Sequence, residues 1–101
     1  MADATGRVVL ALDTGTTSGR TLVIDAAGSV LASAQREVGL STPRPGWVEQ
    51  DAEELWRAQA ATAVDALREA GVSAADVAGI GIANQRETTV VWDRRTSEPV
   101  A

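Results

Sequence analysis

The sequence has no cysteine and no histidine, which removes disulfides, thiol nucleophiles, Ser-His triads and the common zinc sites. All nine basic residues are arginine. Without lysine there is no Schiff-base chemistry and no P-loop lysine. Tyr and Phe are absent and the net charge is −5, which argues against a nucleic-acid surface. No apolar run approaches the roughly 20 residues of a membrane span; the run at the first candidate strand covers residues 8–12. Residues 1–7 lack the basic start and apolar core of a secretory signal, so a cytoplasmic location is expected. The chemistry left to the chain is that of carboxylates, hydroxyls, guanidinium groups and backbone amides.

What is present is ordinary globular composition. Of 101 residues, 45% are apolar and 23% charged, enough for one small domain and too apolar for wholesale disorder. No internal repeat, low-complexity tract or linker interrupts it.

The organising stretch is a hairpin. The apolar run 8–12 ends in Asp13. Thr14-Gly15-Thr16-Thr17-Ser18-Gly19 then forms a small polar turn, and residues 20–25 lead away as a second β-branched strand. Such a turn exposes backbone N–H groups with little side-chain bulk over them. Thr16, Thr17 and Ser18 add hydroxyls and Arg20 a fixed positive charge, a donor set suited to phosphate oxygens. Asp13, where the first strand ends, suits Mg²⁺ held through water. The plainer reading is a polar β-turn whose small residues serve only to reverse the chain.

Further along, residues 25–29 form a turn and 30–38 a third strand, completing an antiparallel meander. Residues 41–46 carry two prolines and form a surface loop, with Trp47 and Val48 expected to tuck back onto the domain. Asp51 opens a helix over 52–70 and is expected to form a capping box with Glu54. Ala52, Leu55, Trp56, Ala60, Ala63, Val64 and Leu67 supply its apolar face, which places Trp56 and Leu67 in the core. Gly71 is the natural stop. Residues 73–76 suit one further helical turn, and 77–83 a strand with Ile80 and Ile82 on one face. Gly79, Gly81 and Ala83 leave the other face bare for a close neighbour. Residues 89–93 are expected to return as a strand. The expected architecture is α/β: an antiparallel three-strand meander, a crossover helix, and a strand parallel to the first. That order carries the polar patch 84–88 toward the Asp13 turn.

Within that patch, Arg86 and Glu87 are adjacent and would point to opposite faces of a regular strand. Where the strand gives way to a loop they can converge, Glu87 accepting from hydroxyls and Arg86 donating to oxygens, as a small polyol requires. An ordinary surface ion pair accounts for the same two residues.

Three stretches together resemble the FGGY carbohydrate kinases. Leu12-Asp13-Thr14-Gly15-Thr16-Thr17-Ser18-Gly19-Arg20 is similar to their N-terminal phosphate hairpin. Pro45-Gly46-Trp47-Val48-Glu49-Gln50-Asp51, with Glu54-Leu55-Trp56, resembles their loop and helix start. Asn84-Gln85-Arg86-Glu87-Thr88-Thr89, followed by Val91-Trp92, resembles the glycerol-binding stretch of the glycerol kinases among them. Thr14 and Gly19 depart from the residues those kinases usually carry, Gln and Ser. The resemblance implies a ribonuclease H-like, actin- and hexokinase-like ATPase fold, of which residues 1–101 would be a single partial domain, the N-terminal part of the first kinase domain. It implies ATP with Mg²⁺, and phosphoryl transfer to glycerol or a similar small polyol. In that reading Gly15, Thr16, Thr17, Ser18 and Arg20 serve the nucleotide, Asp13 the metal through water, and Arg86 and Glu87 the glycerol. It implies further that the catalytic base lies beyond Ala101, that the full-length enzyme is a homo-oligomer, and that this chain alone does not turn over. Neither nucleic acid nor membrane is an expected partner.

Three other readings stand beside it: a kinase for another sugar or polyol, a non-catalytic remnant of a kinase, and an aspartic protease. The last rests on Asp13-Thr14-Gly15-Thr16, which matches the protease signature D-T-G-[ST]; those enzymes work as facing aspartates.

Overall fold

The computed structural model describes residues 6–86 and 88–100. Strands β1 (Val8–Thr14), β2 (Ser18–Asp25) and β3 (Val30–Glu37) form the expected antiparallel meander. Helix α1 (Ala52–Ala70) and a short 3-10 turn (Ala74–Asp76) follow, leading into β4 (Val77–Ala83). β4 pairs parallel to β1, giving the sheet order β3-β2-β1-β4. The register sets Asp13 beside Ala83 and Leu12 beside Ile82, so the ends of β1 and β4 open on the same side of the sheet.

Alternation along each strand divides the sheet into two faces. Val8 and Leu10 of β1, Val23 of β2 and Ala32 of β3 turn toward α1 and close a core with Ala66. Leu12, Ala34, Ala63 and Leu67 pack around it. Asp13, out of phase with Leu12, projects on the opposite face beside Arg20, its partner across the β1–β2 ladder.

The helix begins as its sequence dictates, with one change. Asp51 Oδ1 accepts from the N–H groups of Glu53 at 2.9 Å and Glu54 at 3.3 Å, satisfying two amides of the first turn. Glu54 does not reach back to close a capping box; its carboxylate accepts from Gly39 N at 3.3 Å, pinning the chain that leaves β3 to the helix start. Gly71 ends the helix at φ 73°, the left-handed conformation that costs glycine little.

Four packing expectations are corrected. Trp56 is 65% exposed, because the stripe of α1 turned to the sheet runs through Gln59, Thr62 and Ala66 and Trp56 lies on its shoulder. Trp47 and Val48 are exposed as well. Their loop is held instead by paired backbone bonds between Ser41 and Glu49, each 2.8 Å, and Arg44 lies over the Trp47 ring at 5.1 Å. Residues 89–93 form no sheet strand: a lone bridge joins Trp92 to Pro99. Asp93 organises that turn, its Oδ1 accepting from Arg95 N and Thr96 N. Finally, nothing approaches within 4 Å of the space a side chain would take at Gly79 or Gly81, so the bare face of β4 stays open. α1 lies over β2 and β3 and reaches only the edge of β1, which leaves Ile80 and Ile82 uncovered on the helix side too.

Candidate functional site: the β1–β2 turn and the segment after β4

The turn between β1 and β2 closes through a single backbone bond, Gly15 N to Ser18 O at 2.8 Å. Thr16 and Thr17 stand exposed at its tip. Thr17 O accepts from Val38 N at 2.9 Å, and Ser18 Oγ accepts from Gln35 Nε2 at 3.1 Å, so β3 steadies the turn from one side. Arg20 and Asp13 sit 3.6 Å apart, both about half exposed. An ion pair this open is worth little to stability, and both groups remain available to a ligand.

From the other side the turn is fastened to α1 by a buried polar cluster that the sequence reading did not anticipate. Thr14 Oγ1 donates to Gln59 Oε1 at 2.9 Å. Gln59 Nε2 donates to the Arg20 carbonyl at 2.9 Å and also contacts Thr21 Oγ1 and Thr62 Oγ1 at 3.1 and 3.2 Å. The two threonine hydroxyls are themselves 2.8 Å apart, and Thr62 Oγ1 donates to the Gln59 carbonyl at 2.7 Å. Every buried polar side-chain atom among the described residues has a partner. Gly19 belongs to this packing, since a Cβ there would meet Gln59 Oε1 at 3.2 Å. One signal was in the sequence: Gly19, Thr21 and Val23 share the inward phase of β2, so Thr21 needed a buried partner.

The segment after β4 returns to this turn. Thr16, Gln50, Leu55, Gln85, Arg86 and Thr88 line one cavity of about 730 Å³. Gln50 spans it: its Nε2 donates to Thr16 O at 2.7 Å, and its Oε1 accepts from Gln85 Nε2 at 2.7 Å. The expected convergence of the two polar clusters is therefore present for Thr16 and Arg86. Glu87 lies outside the described residues. Asp13, Gly15, Thr17, Ser18 and Arg20, on the same hairpin as Thr16, are not among the residues lining the cavity.

As a metal position, Asp13 offers one carboxylate, and no group of three His, Cys, Asp or Glu residues comes together among the described residues. That fits Mg²⁺, which keeps several waters and takes one or two protein carboxylates plus substrate phosphates. It does not fit a cage built by the described residues alone. No helix among the described residues is long and apolar enough to cross a membrane.

A meander, a helix laid on one sheet face, a parallel return strand and a small-residue turn at the β1 tip define the opening part of a sugar-kinase ATPase fold. The backbone superposes on the xylulose kinase of Rhodospirillum rubrum with TM-score 0.84 and 30% identity, over 94% of this chain and 19% of that one. The gluconate kinase of Lactobacillus acidophilus shares the fold alone, with TM-score 0.85 and 19% identity over 95% of this chain and 19% of that one. Residues 8–101 match the N-terminal domain of the FGGY family of carbohydrate kinases, and the chain belongs to that family. Among its relatives are glycerol kinases of Acidovorax ebreus, 60% identical over 92 residues, and Bordetella pertussis, 57% identical over 93 residues. These alignments cover 91% and 92% of this chain and 18% of each relative. The chain thus spans under a fifth of the length of the curated relatives it matches.

Family and fold together remove the aspartic-protease reading. Asp13 lies next to the end of a strand flanked by antiparallel β2 and parallel β4, in a sheet covered by a 19-residue helix, which that nearly all-β architecture does not contain.

Proposed function

We propose that this chain is the N-terminal part of a kinase that transfers the terminal phosphoryl group of ATP to a hydroxyl of glycerol, giving glycerol 3-phosphate. The observation that carries the reading is the shared cavity: Thr16 of the β1–β2 turn and Arg86 both line it, which supports a phosphate and a small polyol meeting there. The glycerol kinases at 57–60% identity support glycerol as the substrate.

Each residue then has a task set by its chemistry. The Thr16 and Thr17 hydroxyls and the backbone of the Gly15–Ser18 turn donate to nucleotide phosphate oxygens. Arg20 adds a charge that is never lost at working pH. Asp13 would hold Mg²⁺ through water, and the ion, when bound, neutralises phosphate charge. Arg86 donates to glycerol oxygens and Glu87 accepts from its hydroxyls, so that the reacting oxygen faces the phosphate rather than solvent. Phosphoryl transfer asks mainly for positioning and charge neutralisation, and these side chains supply both. No residue of this chain is assigned as the base.

The test is a chimera in which this chain replaces the matching 92 residues of the Acidovorax ebreus glycerol kinase. ATP- and glycerol-dependent formation of glycerol 3-phosphate, with the KM for glycerol raised by at least about tenfold in Arg86→Ala, is the expected result. A folded chimera that hydrolyses ATP without phosphorylating glycerol would overturn the proposal.

A further inference from the structure

We infer that Gln50 is a positioning residue that ties the phosphate-binding turn to the polyol-binding segment, so that order in one is transmitted to the other. The inference rests on the kinase reading above and adds a residue whose side-chain amide is engaged at both ends by the protein itself.

The geometry carries it. Gln50 stands between two fixed points: Glu49, locked to Ser41 by two 2.8 Å backbone bonds, and Asp51, the cap of α1. Its side chain therefore leaves from a rigid base. It is half-buried in the cavity wall, and both ends of its amide are used, each at 2.7 Å. A terminal amide donates and accepts at once without carrying a charge. Glutamate at this position would keep an acceptor for Gln85 but set an oxygen against the Thr16 carbonyl. Methionine would keep the length and lose both bonds.

Each end has a consequence. The peptide unit is planar and trans, so its carbonyl and the N–H that follows point in opposite directions. Holding the Thr16 carbonyl toward Gln50 therefore aims the Thr17 N–H away from it, fixing one of the donors assigned to phosphate. At the far end, the bond to Gln50 fixes the Gln85 side chain directly before Arg86. The hydrogen bonds of the Gln50 and Gln85 side chains go to Thr16 and to each other and not to the Asp13–Arg20 pair. The bridge thus acts on the orientation of the two binding elements and leaves the metal side alone.

The experiment uses the chimera with Gln50→Met, Gln50→Glu and Gln85→Met, measuring KM for ATP and for glycerol separately. Gln50→Met is expected to raise both KM values by about three- to tenfold, the usual worth of one lost hydrogen bond at each end. Gln50→Glu is expected to raise the KM for ATP by at least about threefold and that for glycerol by less. Gln85→Met moves chiefly the glycerol KM, and adding it to Gln50→Met changes that KM no further, because the shared bond is already gone. A role confined to starting the helix would lower the thermal midpoint and the active fraction while leaving both KM values within twofold of the parent, and that result overturns the inference. Amide exchange gives a readout independent of turnover: peptides from residues 13–20 and 83–90 should both exchange faster in Gln50→Met. Acceleration in only one of them, or in neither, contradicts the bridge whether or not the chimera is active. An inactive but folded parent would instead count against the kinase reading.

Discussion

Thr14 Oγ1 donates to Gln59 Oε1 at 2.9 Å, fastening the last residue of β1 to the middle of α1 across 45 positions of sequence. The same glutamine amide holds the Arg20 carbonyl on the other limb of the hairpin. One side chain, 6% exposed, thereby fixes both strands where the β1–β2 turn springs from them.

Gln59→Leu should consequently loosen the hairpin before it loosens the helix. It leaves the Thr14 hydroxyl and the Arg20 carbonyl without their partner, and a buried polar group so abandoned costs about 1–3 kcal/mol. Amide exchange in peptides from residues 13–21 of the chimera should rise by about tenfold or more, equivalent to roughly 1.4 kcal/mol of lost protection. Exchange in the last turns of α1 should stay near the parent rate.

Asp13→Asn should act on turnover and not on stability. The Asp13–Arg20 pair is open to solvent, and its loss should change stability by less than about 1 kcal/mol. If Asp13 serves the metal side of the nucleotide, kcat should fall by about a hundredfold, the scale of removing one charge-stabilising group. The KM for glycerol should remain within twofold, and steady-state kinetics at varied Mg²⁺ checks this.

Arg86→Ala and Glu87→Gln should separate the two substrates. Charge-assisted hydrogen bonds are the strong ones, so each change should raise the KM for glycerol by at least about tenfold while the KM for ATP moves less than threefold. Equal effects on both substrates would place Arg86 in a general structural role.

Much of this site was legible in the chain before its fold. The apolar run 8–12 and the β-branched run 20–25 gave β1 and β2, and Asp51 with Gly71 gave both ends of α1, because caps and turns are local. The order of the elements brought the end of β4 at Ala83 back beside Asp13. What was not legible depends on the rotation of α1 about its own axis. Trp56 read as core and Val64 as part of the apolar face, yet both are exposed while Gln59 and Thr62 are buried against the sheet. Two polar residues mate with Thr21 and Thr14 there, and an apolar pattern cannot announce such a pairing. Gln50 was hidden for a related reason, as its two partners lie 34 and 35 positions away.

The uncovered surfaces of β4 lead to a prediction about the chain by itself. Ile82 is 72% exposed, and the outer edge of β4 carries no partner strand among the described residues. Exposed edges and apolar faces favour association. The isolated 101-residue polypeptide should scatter light as a species larger than its 10.5 kDa monomer. Ile82→Glu should reduce that mass, and neither form should phosphorylate glycerol.

The most direct test of the central claim is the substrate preference of the enzyme made from the whole reading frame that contains this chain. Initial rates in a coupled assay would be compared for glycerol, xylulose and gluconate at saturating ATP-Mg²⁺. A kcat/KM for glycerol at least about tenfold above the other two, about 1.4 kcal/mol of transition-state preference, is the result expected from a polyol site at Arg86 and Glu87. A sugar preferred over glycerol, or no ATP-dependent product at all, would contradict it.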